Sequence, residues 1–214
     1  MSSPISEFPD SRPASPTFSF GGYATEEVGL PGVTFWPRAG ARVIDYVLHY
    51  CVTYAAGLLF TILVLAASGG HVPAWVLARF RHAGLVGFVF GMLGYVAYNV
   101  ICVSMHGSTL GKRLISSVVV RENGLRCRMG PAIIRELGYF IDSLFFGLIG
   151  YLAMQKTYQE QRYGDQWAHT VVVKRASVIP EQLRSDGRFV SVLMLAVMTD
   201  AALAIIGLLI LISR

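Results

Sequence analysis

Charge is scarce in this chain. Only 14% of its 214 residues are Asp, Glu, Lys or Arg, while 54% are hydrophobic. A soluble domain carries about 25% charged residues. The shortage excludes an ordinary soluble domain and, with a mean hydropathy of +0.53, points to a membrane protein. Cysteine is sparse too: Cys51, Cys102 and Cys127, with no CxxC pair. That excludes a disulfide framework and a thiolate zinc site. Two of these thiols fall in apolar stretches, and the third reads as a free thiol on a reducing side. Nor do the first residues read as a signal peptide. Residues 1–37 hold six prolines, several serines and no apolar core of the needed length. They read as a disordered tail, with the first span acting as an uncleaved insertion signal. No hydrolase triad, HExxH or di-metal carboxylate pattern appears, and His71, His82, His106 and His169 lack ligand spacing. The chain therefore reads as no enzyme, with no metal and no cofactor. The net charge of +5 fits cationic loops on one side of a membrane, with no basic groove or nucleic-acid motif.

What is present is a set of long apolar runs. Residues 43–67, 83–105 and 189–213 are each long enough to cross, since about 20 residues suffice. In the second run Gly84, Gly87, Gly91 and Gly94 share one helix face. Such small residues let backbones approach, within the chain or between two copies. Residues 131–154 are different. Arg135, Glu136 and Asp142 interrupt them, and their longest charge-free run, 143–154, has only 12 residues. A run that short suits a re-entrant, interfacial or buried element, and Gly147 and Gly150 permit a bend. Between the spans, 115–121 is β-branched and leads into Asn123-Gly124, a strong turn signal. Residues 169–174 (HTVVVK) closely echo 116–121 (SSVVVR). Two such strands can pair only on the same side of the membrane.

Cation placement chooses between topologies. If 131–154 dips in and returns, fifteen Lys and Arg lie on the inner side and three outside. If it crosses, the division is ten to eight. The positive-inside rule prefers the first. The expectation is a multi-pass cell-membrane protein with its N-terminus cytoplasmic.

Ionised side chains within apolar runs are expensive, on the order of 2.5–3.5 kcal/mol on insertion scales, and usually face a protein interior or a cavity. Arg38, Arg42, Asp45 and His49 form one such group: Asp45 and His49 are four apart and share a helix face. A cation or proton site and a structural salt bridge are both open readings, because imidazole titrates near neutrality. Asp142 lies deeper. It either meets Asp45 or Arg38 at the bundle centre, where paired carboxylates can exchange a proton for a cation, or fixes a bend. Asp200, in the middle of the last run, needs a partner elsewhere: Asn99, His49 or the arginines. The stretch 107–113 (GSTLGKR) fails the phosphate-loop pattern, with one residue too few between its glycines and Arg113 where Ser or Thr would hold Mg²⁺. It reads as a turn and a basic amphipathic segment, with Lys112 and Arg113 facing anionic lipid. Arg162, Asp165 and Trp167 read as a structural corner, the Trp at the interface.

Four blocks in order, RAGARVID (38–45), GSTLGKRLISSVV (107–119), RELGYFID (135–142) and QRYGDQWAHTVVV (161–173), resemble the RDD family of membrane proteins. The family takes its name from an arginine and two aspartates, and Arg38, Asp45 and Asp142 fall at those positions. The resemblance covers roughly residues 33–175. It implies a bacterial or archaeal integral membrane protein with no general activity assigned, for which transport, including cation/proton antiport, has been proposed. The expected architecture is an all-α membrane protein: a polytopic helical bundle with three full spans, one re-entrant or short fourth hydrophobic element, and a small cytoplasmic β-strand pair. Residues 1–32 are the tail, 33–175 the RDD-type membrane domain, 176–188 a polar linker and 189–214 an additional C-terminal span. The functional expectation is a proton-coupled small-ion transporter or transport accessory built on Arg38, Asp45, His49, Asp142 and Asp200, working as a homo-oligomer. The alternative is a non-transporting structural or interaction protein whose basic face binds lipid or a partner.

Overall fold

The computed structural model describes residues 30–71, 73, 74, 78, 83–179 and 188–213. The N-terminal tail up to residue 29, most of the loop carrying Trp75, Arg79 and Arg81, and linker residues 180–187 lie outside them. Among the described residues, three helices are long and apolar enough to cross a membrane: α1 (Phe35–Ala67), α2 (Ala83–His106) and α7 (Phe189–Ser213). Each has the composition expected of a span, and their outward faces are covered in exposed Leu, Val, Ile and Phe. That distribution suits contact with lipid chains, where helices satisfy their backbone hydrogen bonds internally. The protein is a multi-pass membrane protein of the all-α class.

The short fourth element is a bent pair, α4 (Met129–Asp142) and α5 (Leu144–Met154), which meet at 113°. The bend contains left-handed backbone at Phe145, Phe146 and Gly147, with φ of 52°, 58° and 87°. Gly147 accepts that conformation without penalty, whereas each phenylalanine costs about 1–2 kcal/mol. Asp142 sits at the last position before the corner.

A two-stranded antiparallel sheet closes one end of the bundle. β1 (Ser117–Arg121) pairs with β2 (Thr170–Lys174), Val118 opposite Val173, Val119 opposite Val172 and Val120 opposite Val171. All six valines are buried, so both sheet faces are covered. One face packs on Val33, Val100, Val103 and Ala132, the other on Val178 and Leu30. The edges are occupied as well. The Val33 amide donates to the Val172 carbonyl and the Val119 amide to the Gly107 carbonyl. Asn123-Gly124 makes the tight turn its sequence suggests, with Gly124 at φ 76°, and returns the chain so that Val120 bridges Arg126. Two short helices complete the end: α3 (Leu110–Leu114), after α2, and α6 (Tyr163–Trp167), before β2. α7 packs between α1 and α2, with Ala196 against Tyr98 and Cys102.

Glycine explains the close approaches. Of the four glycines on one face of α2, Gly94 meets α7, where an added Cβ would collide with the Asp200 carboxylate. Gly84, Gly87 and Gly91 meet nothing within reach. Of the two readings, packing within the chain is not met at Gly87 and Gly91 among the described residues, and an opening lies beside them. Tyr50, Thr53, Gly57, Gly87, Phe90 and Gly207 line this opening of about 530 Å³.

Candidate functional site

α1 carries Arg38, Arg42, Asp45 and His49 at steps of four, three and four residues, which places them along one face. All four are buried. Each turns to different partners, so the stripe ties one helix to six other elements: α2, α3, α4, α6, α7 and β2.

Arg38 reaches α6 and β2. Its Nη1 donates to Oδ2 of Asp165 at 3.0 Å and its Nη2 to the Val172 carbonyl at 3.3 Å. The same carboxylate lies 3.0 Å from Nη2 of Arg135 and 3.6 Å from Nε of Arg162. Asp165 is 1% exposed. Burial alone would raise its pKa, but the guanidiniums of Arg135, Arg162 and Arg38 outweigh it and hold the carboxyl well below the usual range.

Arg42 reaches α2 and α4. Both terminal nitrogens donate to Oε2 of Glu136 at 3.1 Å, and Nη1 also donates to Oδ1 of Asn99 at 2.8 Å and to the Tyr95 hydroxyl at 3.3 Å. Its guanidinium lies 3.9 Å from the centre of the Tyr139 ring, within cation–π range.

Asp45 holds α3. It accepts from the Thr109 hydroxyl at 2.6 Å, the Gly111 amide at 2.8 Å and the Tyr98 hydroxyl at 3.0 Å. The sequence places Asp45 near the mouth of the span, yet it is wholly buried because α3 folds over it. This explains GSTLGKR without a phosphate. Thr109 caps α3 and binds Asp45, while Gly111 lies against the Ala41 carbonyl of α1, where a Cβ would collide. Lys112 is drawn in with it. Its side chain is buried, with Nζ 3.4 Å from the Thr109 hydroxyl, so the lipid-facing assignment for Lys112 is corrected. Burial pushes its ammonium down to about 8, with Arg42 repelling it and Asp45 opposing the shift. Arg113 is exposed. It bonds Nε2 of His106 at 3.0 Å and stacks over Phe189.

His49 reaches α7. Nδ1 lies 2.8 Å from Oδ2 of Asp200, so the acid in the last span has His49, one of its three expected candidates, as partner. Oδ1 of Asp200 has no hydrogen-bond partner among the described residues.

Asp142 does not meet Asp45 or Arg38, which corrects the central-carboxylate expectation. Its Oδ1 accepts from the Tyr163 amide at 3.0 Å and its Oδ2 from the Gly164 amide at 3.1 Å. The α4–α5 corner faces the start of α6, so this acid fastens the corner. The contact is close because Gly138 and Gly164 touch, and a Cβ on Gly138 would strike the Cα of Gly164. Trp167 is 52% exposed, as an interface residue would be.

Glu136 and Arg135 are the residues that the sequence reading left without partners. Both are buried in α4. Two adjacent charges inside an amphipathic apolar helix were the available signal. Asp165, read from the sequence as part of a structural corner, is the anion at the centre of three arginines.

The sequence model of the RDD family matches residues 33–169. Comparison with curated proteins and with solved structures found no match.

Proposed function

The chain belongs to the RDD family, and from that premise we propose that it moves, or helps to move, a small cation across the cell membrane in exchange for protons. The observation that carries this reading is the His49–Asp200 pair. An imidazole and a carboxylate lie 2.8 Å apart between two spanning helices, with one carboxylate oxygen otherwise unpartnered among the described residues. Such a pair can hold one proton between them, and loss of that proton leaves an anionic site for a cation. In this reading the sheet end of the bundle and the N-terminus are cytoplasmic, as the fifteen inner cations favour. Three long spans in one copy leave little room for a closed path, so the working unit is a homo-oligomer.

The test is flux. The purified chain is reconstituted in liposomes and proton movement is followed under Na⁺, K⁺ and Li⁺ gradients. Wild type is compared with His49→Gln and Asp200→Asn. Cation-dependent flux that both variants abolish supports the reading; wild-type flux equal to that of empty liposomes ends it.

A second reading has its own observation. Asp142, Asp165 and Glu136 each bind groups on another helix. A scaffold that presents a fixed surface to a partner needs such ties and needs no titrating pair. Absence of flux, together with unchanged stability in the His49 and Asp200 variants, would favour it.

A further inference from the structure

A second opening, of about 430 Å³, lies where the start of α1 meets the α4–α5 corner. Arg38, Arg42 and Arg162 line it, with Asp142 beside them. Phe146 stands on its rim, fully exposed, in a surface that also carries exposed Phe145 and Trp36. The opening therefore has a cationic floor and a surround that suits lipid chains.

The charges do not balance. Arg38, Arg42, Arg135 and Arg162 remain cationic at any physiological pH. The carboxylates paired to them or sharing the opening are Glu136, Asp142 and Asp165. One positive charge is left over. Glu160, only partly buried, is the weakest of the charges acting on Arg38, and water screens it. Donors are left over as well. Nε of Arg38, a residue 8% exposed, has no hydrogen-bond partner among the described residues. Nor has Nε of Arg162, although Asp165 lies 3.6 Å away. Asp142 does not supply the missing acceptor, because its oxygens already take the Tyr163 and Gly164 amides.

We propose that this opening binds the phosphodiester headgroup of an anionic glycerophospholipid, one per chain. A phosphodiester brings one negative charge to match the surplus and two non-ester oxygens that accept from the guanidiniums lining the opening in charge-assisted contacts. The glycerol and acyl chains leave past Val43 and Phe146. A zwitterionic headgroup is disfavoured because its ammonium would meet the surplus arginine charge. A free anion meets the same surplus charge but gains nothing from the apolar rim. The site is separate from the His49–Asp200 pair and does not depend on transport.

Delipidated full-length protein in detergent is titrated with phosphatidylglycerol, with phosphatidylcholine and with inorganic phosphate, and bound mass is read by native mass spectrometry. The expectation is one phosphatidylglycerol per chain, roughly tenfold tighter than phosphatidylcholine, the scale of one charge-assisted contact. Arg162→Gln weakens it about tenfold by removing a donor. Because Arg162 also neighbours Asp165, Val43→Trp serves as the second variant. Val43 is 59% exposed and lines the opening, so a larger ring there obstructs the site while leaving the ion pairs and the thermal midpoint unchanged. Wild-type affinity in Val43→Trp, equal affinity for phosphatidylcholine, or displacement of the lipid by equimolar phosphate would each overturn the proposal.

Discussion

Arg38 and Asp165 are 127 residues apart in sequence and 3.0 Å apart in space. The bond joins the first turns of the first spanning helix to a five-residue helix beyond the bent pair. Arg135 meets the same carboxylate from α4. One buried anion therefore fixes the relative positions of three elements, and the sheet end of the bundle rests on it.

Replacing Asp165 by Asn should be strongly destabilising. Three guanidiniums would lose their shared counter-charge, and breaking a buried pair costs about 3–5 kcal/mol. The expected result is a markedly lower thermal midpoint in detergent and loss of monodispersity. The sign of the pH effect follows from the depressed pKa. The stabilisation is present above the unfolded value of 3.8 and is lost as pH falls below it. An Asn variant with the wild-type midpoint would show that the pair contributes little.

Gly111→Ala tests the packing of α3 on α1. The new methyl would collide with the Ala41 carbonyl, a backbone atom that cannot swing aside. Overpacking of this kind costs about 1–3 kcal/mol. The same change at Gly40, which has open space around it, should be nearly neutral. Equal midpoints for the two variants would refute the close approach.

Lys112 should make stability rise with pH above neutrality. Its folded pKa is about 8 against 10.5 unfolded, so between those values the unfolded chain binds more protons. Lys112→Met removes that dependence. The difference in midpoint between Met variant and wild type should be largest near pH 7 and shrink towards pH 10. A difference that is constant across this range would place the ammonium in water.

His49→Gln and Asp200→Asn should each abolish proton-coupled flux while Asp45→Asn lowers stability first. Asp45 binds the Thr109 hydroxyl, the Gly111 amide and the Tyr98 hydroxyl. Loss of an acceptor for several buried donors costs about 1–3 kcal/mol. Flux that survives in the His49 and Asp200 variants, measured in the same liposomes, would remove this pair from the mechanism.

Much of the architecture was legible because it depends on local pattern. Three uninterrupted apolar runs became α1, α2 and α7. The charged interruption at Arg135, Glu136 and Asp142 marked the element that bends by 113° instead of running straight. The matching valine triplets became β1 and β2 in register. Partner choice was less legible. Arg42 lies three residues from Asp45 in sequence, but Glu136 of α4 receives it. Lys112 looked like a headgroup ligand, but Asp45 accepts the Gly111 amide next to it and draws α3 inward.

The sequence by itself determined the membrane class, the number of long apolar helices, the position of the break and the residues that had to be buried with partners. Hydropathy and helical periodicity act over a few turns, so they can be read without coordinates. Only the tertiary structure decided which charge meets which. Arg38 to Asp165, Arg42 to Glu136 and His49 to Asp200 are long-range pairs, chosen by helix crossings that glycines at 94, 111, 138 and 164 allow. A carboxylate takes whichever donors that packing brings within about 3 Å. No spacing along the chain contains that information.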